Sequence, residues 1–133
     1  MGIALLSSTP SVDRHIAVAP QAVWRLLTDI RTWPRWGPSV RGAALDDGGW
    51  ELSVEATGTV WTVAGLALPF TITEFEPGRR WSWAVAGVAA TGHAVTPVDG
   101  GCRVGFEVPW WAPGYLAVCA VALRRIETIV VSG

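Results

Sequence analysis

Residues 113–131, PGYLAVCAVALRRIETIVV, carry the longest helical pattern in the chain. On a helix of about 3.6 residues per turn, the large apolar side chains fall on one broad stripe, and Arg124 and Thr128 fall opposite. Pro113 stands where the first turn of a helix tolerates proline. A helix of about 28 Å needs a sheet to cover such a stripe. The stripe consists of Tyr115, Leu116, Cys119, Ala122, Leu123, Ile126, Ile129 and Val130.

The composition predicts one domain, residues 1–133, with a large apolar interior. Half of the 133 residues are hydrophobic and only 16% are charged, which argues against a disordered chain. The net charge is −1 and the arginines are scattered, so we expect no nucleic-acid partner. The chain has no lysine, which excludes a Schiff-base lysine and a P-loop.

The sequence also bears on location and on metal or cofactor sites. The opening segment 1–8, MGIALLSS, is too short for a signal peptide and lacks its basic start, and no apolar run is long enough to span a membrane. Cys102 and Cys119 form neither a CxxC nor a disulfide-rich pattern, which favours a reducing compartment. The two histidines and two cysteines lack the spacing of metal ligands. We therefore expect a soluble, cytoplasmic protein with no metal and no cofactor.

The chain before the long helix predicts a first strand, a short helical region and a meander of strands. Pro20 opens a helix over 21–29, and two prolines in 32–38 make a stiff aromatic corner. From Val40 onward, short strands alternate with turn sequences, of which Asp99-Gly100-Gly101 is typical. The predicted strands are 11–18, one beginning at Val40, 50–63 as one strand or two joined by a break at Gly58, 68–76, 79–86, 90–98 and 102–110; the other turns are 46–49 and 77–78.

This order predicts an α+β fold of the helix-grip kind. A curved antiparallel sheet of about seven strands wraps around the long C-terminal helix, and two short helices follow strand one. Space between a curled sheet and a helix held in its concave face is commonly lined by large aromatic residues. The nine tryptophans suit such cavity walls.

Three segments and the final helix carry a family resemblance. They are APQAVWRLLTDIRTWPRW (19–36), ITEFEPGRRWSW (72–83) and VTPVDGGCRVGFEV (95–108). Together they resemble the START-related SRPBCC superfamily, the helix-grip fold of polyketide cyclase/dehydrase-type and lipid-transfer-like proteins. The resemblance implies an apolar cavity between the sheet and the final helix. It implies no single reaction, because a fold does not fix a function.

Two residues are candidates for chemistry inside the cavity. His93 lies on an otherwise apolar strand, where an imidazole could act as a general base or orient a ligand oxygen. The alternative is a histidine that a backbone carbonyl satisfies, or one on the outer surface. Tyr115 begins the helical stripe, where its hydroxyl could donate to a ligand carbonyl; the alternative is a core aromatic. The predicted ligand-binding residues are Trp33, Trp36, Trp61, Phe70, Trp81, Trp83, Phe106, Trp110 and Cys119.

Several further residues have two interpretations. A carboxylate turned into the cavity, from Glu55, Glu74 or Glu107, could act as an acid or base, whereas strand glutamates more often face water. Arg103 and Glu107 share a strand face and are candidates for an outer ion pair. The mouth of the pocket is predicted from four tryptophans, namely Trp33, Trp36, Trp110 and Trp111.

Three hypotheses of function follow. The first is binding of a small hydrophobic molecule, with aromatic or polycyclic compounds among the candidates. The second is a cyclase/dehydratase-type enzyme in which His93, Tyr115 or a buried glutamate moves protons. The third is an interaction module that forms a homodimer through the terminal helix, where Val118 and Val121 need cover.

Overall fold

A computed structural model describes residues 9–132. The expectation about a signal peptide rests on residues 1–8, which lie outside the residues that the structure describes. The strands are β1 (Ser11–Ile16), β2 (Val40–Leu45), β3 (Thr57–Thr62), β4 (Ala67–Glu76), β5 (Arg80–Val85), β6 (Val88–Val98) and β7 (Gly101–Glu107). The helices are α1 (Pro20–Thr28), α2 (Trp33–Trp36) and α3 (Leu116–Ser132), with 3-10 turns at Ile30–Thr32 and Pro113–Tyr115.

The seven strands form one curved antiparallel sheet in the order β1-β7-β6-β5-β4-β3-β2. Consecutive strands from β2 to β7 are neighbours, and β1 pairs with β7, so the first strand lies beside the last. Gly78 and Gly100 occupy the left-handed region in the predicted turns after β4 and β6, with φ of 78° and 79°, which glycine adopts without strain. The predicted α+β helix-grip fold is confirmed.

Helix α1 is tied to the aromatic corner that follows it. Pro20 stands in its first turn, and Val23, Leu26 and Leu27 are buried. The indole Nε1–H of Trp33 donates a hydrogen bond to the carbonyl oxygen of Leu27 at 3.0 Å. The corner therefore holds the Trp33 ring under the sheet rather than at the surface.

Helix α3 lies in the concave face of the sheet. It begins at Leu116, after a 3-10 turn, and buries Cys119, Ala122, Leu123 and Ile126, the spacing of one helical face. It contacts β1, β7, α1 and α2, so its buried face has neighbours on several sides. Within the described residues, no helix is long and apolar enough to cross a membrane.

The segment 50–56 differs from the predicted strand 50–63, because only Thr57–Thr62 pairs in the sheet. Its backbone bonds to the end of α1 instead: the Ile30 N–H donates to the Trp50 carbonyl, and the Leu52 N–H donates to the Thr28 carbonyl. Glu55 adopts φ of 60°, which interrupts an extended strand. The turn at 46–49 therefore opens a longer loop rather than a tight hairpin.

Gly58 lies within β3 and does not break it, contrary to one of the two predictions for this region. It pairs with Leu45 on β2 and with Phe70 on β4. A Cβ at this position would lie 2.2 Å from the Ala44 carbonyl oxygen and 2.9 Å from Phe70 Cζ. Glycine is needed here because the Phe70 ring approaches the backbone of β3.

Candidate functional site

The centre of the concave face is a stack of aromatic rings. Strand register places Trp81 opposite His93, and His93 opposite Phe106. The Trp33 ring, from α2, stacks on Trp81 with centroids 5.5 Å apart, and Trp81 stacks on the His93 imidazole at 3.9 Å. Phe106 meets His93 edge to face at 4.8 Å. Offset and edge-to-face contacts of this kind are favourable for aromatic rings, so the rings of the stack stabilise one another's positions.

The polar atoms inside this cluster are joined by a chain of three hydrogen bonds. A carbonyl oxygen only accepts, so His93 Nδ1–H donates to the Trp81 carbonyl at 3.2 Å. His93 Nε2 then accepts from the Thr91 hydroxyl at 3.0 Å. Thr91 Oγ1 in turn accepts from the Trp83 indole N–H at 3.0 Å. The network fixes a neutral imidazole with its proton on Nδ1.

Burial explains why His93 stays neutral. Only 3% of the residue is exposed, and desolvation lowers the pKa of its imidazole to about 3. The hydrogen bond to the Trp81 carbonyl opposes this shift, and the positive charge of Arg80 adds to it. At neutral pH both ring nitrogens are therefore occupied, one as a donor and one as an acceptor.

Two neighbouring cavities, which share five lining residues, lie between the sheet and the start of α3. The inner cavity, of about 40 Å³, borders the aromatic stack and reaches Val118, Cys119 and Ala122 on α3. The outer cavity, of about 320 Å³, has no charged residue in its lining. Its lining residues are Ser39, Val40, Val60, Thr62, Leu68, Trp83, Val85, Val88, Ala89, Ala90, Thr91, Pro109, Trp111, Ala112 and Tyr115.

A hydrogen bond stands at the boundary between these cavities. The hydroxyls of Tyr115 and Ser39 lie 2.6 Å apart, and both residues line the inner and the outer cavity. The bond joins the 3-10 turn before α3 to the segment before β2. The hydroxyl pair therefore supplies polar atoms where the two cavities share their lining.

The loops that follow β3, β5 and β7 lie at one end of the sheet, because alternate strands of an antiparallel meander run in the same direction. Segments 63–66, 86–87 and 108–115 contain no charged residue. Val63, Leu66 and Trp111 are exposed there, and Trp110 is 80% exposed. The outer cavity therefore lies beside loop segments without charged side chains.

A family model described as polyketide cyclase/dehydrase and lipid transport matches residues 9–126. The chain belongs to this family. The match includes all seven strands and most of α3, so the resemblance drawn from segments 19–36, 72–83 and 95–108 is confirmed. A comparison with curated proteins found no match.

Solved structures show the same fold at low sequence identity. A protein of Mesorhizobium loti has a TM-score of 0.75 and 16% identity, covering 93% of this chain and 97% of its own. A protein of Nitrosomonas europaea has a TM-score of 0.67 and 18% identity, covering 92% and 93%. An AHSA1-like protein of Aeromonas hydrophila has a TM-score of 0.63 and 18% identity, covering 90% and 92%. These likenesses concern the fold alone.

The structure of this family member brings most of the predicted site residues together. Phe70 is buried behind them, with its ring centroid 5.7 Å from that of Trp33 and 5.5 Å from that of Trp83. The predicted residues that line the inner cavity are Trp33, Trp36, Trp81, Trp83, His93, Phe106, Tyr115 and Cys119. Their roles toward a ligand stay predictions.

Three predicted ligand-binding residues line neither cavity: the buried Phe70, and Trp61 and Trp110. Trp61 alternates with the buried Val60 on β3 and is 39% exposed, because its side chain points to the opposite face of the strand. Trp110 precedes the turn into α3 and faces solvent. The predicted mouth of four tryptophans also differs: Trp33 and Trp36 are buried, and only Trp111 lines the outer cavity.

The three glutamates considered as acids or bases line neither cavity. Glu74 and Glu107 accept hydrogen bonds from Arg80 at 3.3 and 3.1 Å, and Glu55 is exposed in the loop after β2. Arg103 pairs with Asp13 at 3.2 Å, so the predicted pairing of Arg103 with Glu107 is wrong. Exposed ion pairs of this kind contribute little to stability.

Two residues of the site were not among the sequence candidates. The period-two spacing of Thr91 and His93 puts both on one face of β6, but no local pattern indicates that Thr91 links His93 to Trp83. Ser39 meets Tyr115 across a separation of 76 residues. No local pattern predicts such a contact.

Proposed function

We propose that this protein binds a small apolar molecule in the outer cavity, between the sheet and the start of α3. The observation that carries the proposal is the cavity of about 320 Å³ whose lining has no charged residue. Removing apolar surface from water contributes about 25 cal/mol per Å², so such a lining favours a hydrophobic ligand. The family description, which includes lipid transport, supports the same class of ligand.

The proposal assigns different contacts to the two cavities. Trp83 and Tyr115 border both and would contact the body of the ligand. Cys119 and the buried aromatic side chains of the inner cavity would contact only a small group that reaches past Tyr115. Burial raises the pKa of the Cys119 thiol to about 11, so it acts there as a small neutral side chain.

Tryptophan fluorescence tests the proposal. We expect naphthalene derivatives, larger polycyclic compounds or fatty acids to change the emission, because Trp83 and Trp111 line the outer cavity. Trp111→Phe should reduce the change. Trp50→Phe is the matched control, since Trp50 is exposed and lies under the Arg31 guanidinium, 4.3 Å from its ring centroid. Unchanged emission and no heat of binding across the panel would contradict the proposal.

A cyclase/dehydratase-type enzyme is the second candidate. His93 and Tyr115 both line the inner cavity, so a carbonyl-bearing substrate could contact the Tyr115 hydroxyl. His93 supports the enzyme hypothesis less than Tyr115 does, because both of its ring nitrogens already have hydrogen-bond partners. The test is turnover of a poly-carbonyl substrate by the wild type, His93→Ala and Tyr115→Phe. Equal turnover by all three proteins would remove both residues from the chemistry.

Dimerisation through α3 stays a prediction. Val118, one of the two valines thought to need cover, lines the inner cavity, so the fold already covers it. Val121 is half-buried and lies in an open groove with Arg124 and Ile129. Sedimentation at high protein concentration tests the prediction, and a monomer there would contradict it.

A cytoplasmic location is proposed from the cysteines. Cys102 and Cys119 are free and buried, and burial raises the pKa of both thiols. Reduced, unreactive thiols suit a reducing compartment. Fractionation of the source cells tests this location.

A further inference from the structure

Among residues 9–132, the Trp81 indole N–H has no hydrogen-bond partner, although Trp81 is only 1% exposed. The indole N–H groups of the three other tryptophans in the aromatic cluster have partners: Trp33 donates to a backbone carbonyl, Trp36 to the Thr32 hydroxyl and Trp83 to the Thr91 hydroxyl. Buried donors in folded proteins nearly always have a partner. The Trp81 indole N–H is therefore a buried donor whose acceptor we expect to come from a bound molecule rather than from the chain.

The surroundings of Trp81 have room for such an acceptor. Trp81 lines the inner cavity, whose volume of about 40 Å³ holds a water-sized group but no larger body. Ser39, Trp83, Thr91 and Tyr115 line both cavities, so a group in the inner cavity can belong to a molecule in the outer one.

The other polar groups restrict the chemistry of the incoming atom. The Thr91 hydroxyl donates to His93, and the Tyr115 and Ser39 hydroxyls share a hydrogen bond. No charged residue lines either cavity, so a buried carboxylate would lack a counter-charge at high cost. A hydroxyl group would bring a proton that itself needs an acceptor. A neutral carbonyl oxygen fits best, because it only accepts.

We propose that the ligand is an apolar molecule with a terminal ketone or aldehyde oxygen, which accepts a hydrogen bond from Trp81 Nε1–H in the inner cavity. This inference rests on the proposed function and deepens it. The hydrocarbon body fills the outer cavity, and the carbonyl passes the Tyr115–Ser39 pair. The Trp81 donor thus sets the orientation of the ligand.

A matched pair of probes tests the inference. 2-Acetylnaphthalene carries the carbonyl, and 2-isopropenylnaphthalene has a carbon in place of its oxygen. Because the two probes differ in hydration, the measured quantity is the ratio of their affinities in each protein. In Trp81→Phe we expect the affinity for the ketone, relative to the affinity for the alkene, to fall about fivefold. This factor corresponds to the loss of one neutral hydrogen bond. Trp50→Phe, at an exposed position that lines neither cavity, should leave the ratio unchanged.

The carbonyl stretch gives a second measurement that needs no variant. With a ¹³C-labelled ketone bound to the wild type, we expect the infrared band to lie below its position in a hydrocarbon solvent. Binding of both probes with an equal ratio in the wild type and Trp81→Phe, and an unshifted band, would overturn this inference alone. Failure of both probes to bind would overturn the proposed function and the inference with it.

Discussion

Thr91 is the residue that completes the polar network at the lining of the two cavities. Its hydroxyl donates to His93 Nε2 and accepts from Trp83 Nε1–H, each over 3.0 Å. His93 is only 3% exposed, so its Nε2 has no access to water as an alternative partner. The network thereby holds His93 in one tautomer and the Trp83 ring in one orientation.

Thr91→Val removes this hydroxyl and keeps the side-chain shape. It leaves two buried polar groups without partners, so we expect the free energy of unfolding to fall by about 2 kcal/mol. Thr96→Val is the matched control, because Thr96 lies on the same strand and is exposed. Urea unfolding measures both variants. Equal stability of the two would show that the network contributes nothing.

His93 makes the stability of the fold depend on pH. The folded state keeps the imidazole neutral down to a pKa of about 3, whereas the ordinary value is 6.5. As the pH falls below 6.5, the unfolded chain takes up a proton that the folded chain rejects. Stability from this residue is therefore complete above pH 6.5 and is lost as the pH falls toward 3.

Between pH 7 and pH 5 we expect this residue alone to lower the free energy of unfolding by about 2 kcal/mol. Urea unfolding at a series of pH values measures the slope. His93→Gln should flatten it, whereas His15→Gln, at an exposed position, should retain it. The same slope in both variants would contradict a buried neutral imidazole.

At the scale of elements, Gly58 lets β3 pass close to both the Ala44 carbonyl on β2 and the Phe70 ring on β4. Gly58→Ala would place a methyl group 2.2 Å from the Ala44 carbonyl oxygen. Since backbone must move, we expect a loss of about 2 kcal/mol in the free energy of unfolding. Gly42→Ala on the adjacent β2 is the control, because a Cβ there has nothing within 4 Å. A loss in the control as large as in Gly58→Ala would refute the steric explanation.

Local patterns predicted the elements whose stability is local. The i, i+3, i+4, i+7 spacing of Cys119, Ala122, Leu123 and Ile126 describes the buried face of α3, and glycines marked the turns after β4 and β6. The segment 50–56 was mispredicted because its backbone pairs with the end of α1. That pairing depends on tertiary contacts, which a propensity for strand does not contain.

The site could be predicted only in part for the same reason. Alternation puts Thr91 and His93 on one face of β6, and the predicted ligand-binding residues Trp81, Trp83 and Phe106 line the inner cavity. Alternation does not say which face of a strand is buried, so Trp61 was misplaced. The contact of Ser39 with Tyr115 joins residues 76 positions apart, and only the complete fold determines it.

At the scale of the whole molecule, the interior is divided between a filled aromatic region and an open apolar one. Leu68 is half-buried and lines only the open part. Leu68→Trp fills this space, so we expect the affinity for 2-acetylnaphthalene to fall by roughly tenfold with little change in stability. Calorimetry measures the affinity, because the variant adds a fluorophore. Thr71→Trp, at an exposed position of the same strand, is the control. An equal fall in affinity in both variants would show that the ligand does not bind in the outer cavity.

The position of Tyr115 has a practical consequence for spectroscopy. It is the only tyrosine of the chain, and its hydroxyl stands 2.6 Å from Ser39 at the junction of the two cavities. Biosynthetic incorporation of fluorotyrosine therefore places one fluorine nucleus at this junction without any substitution. The fluorine spectrum then reports on whether the hydrogen bond between Tyr115 and Ser39 is formed, broken or in exchange between the two states.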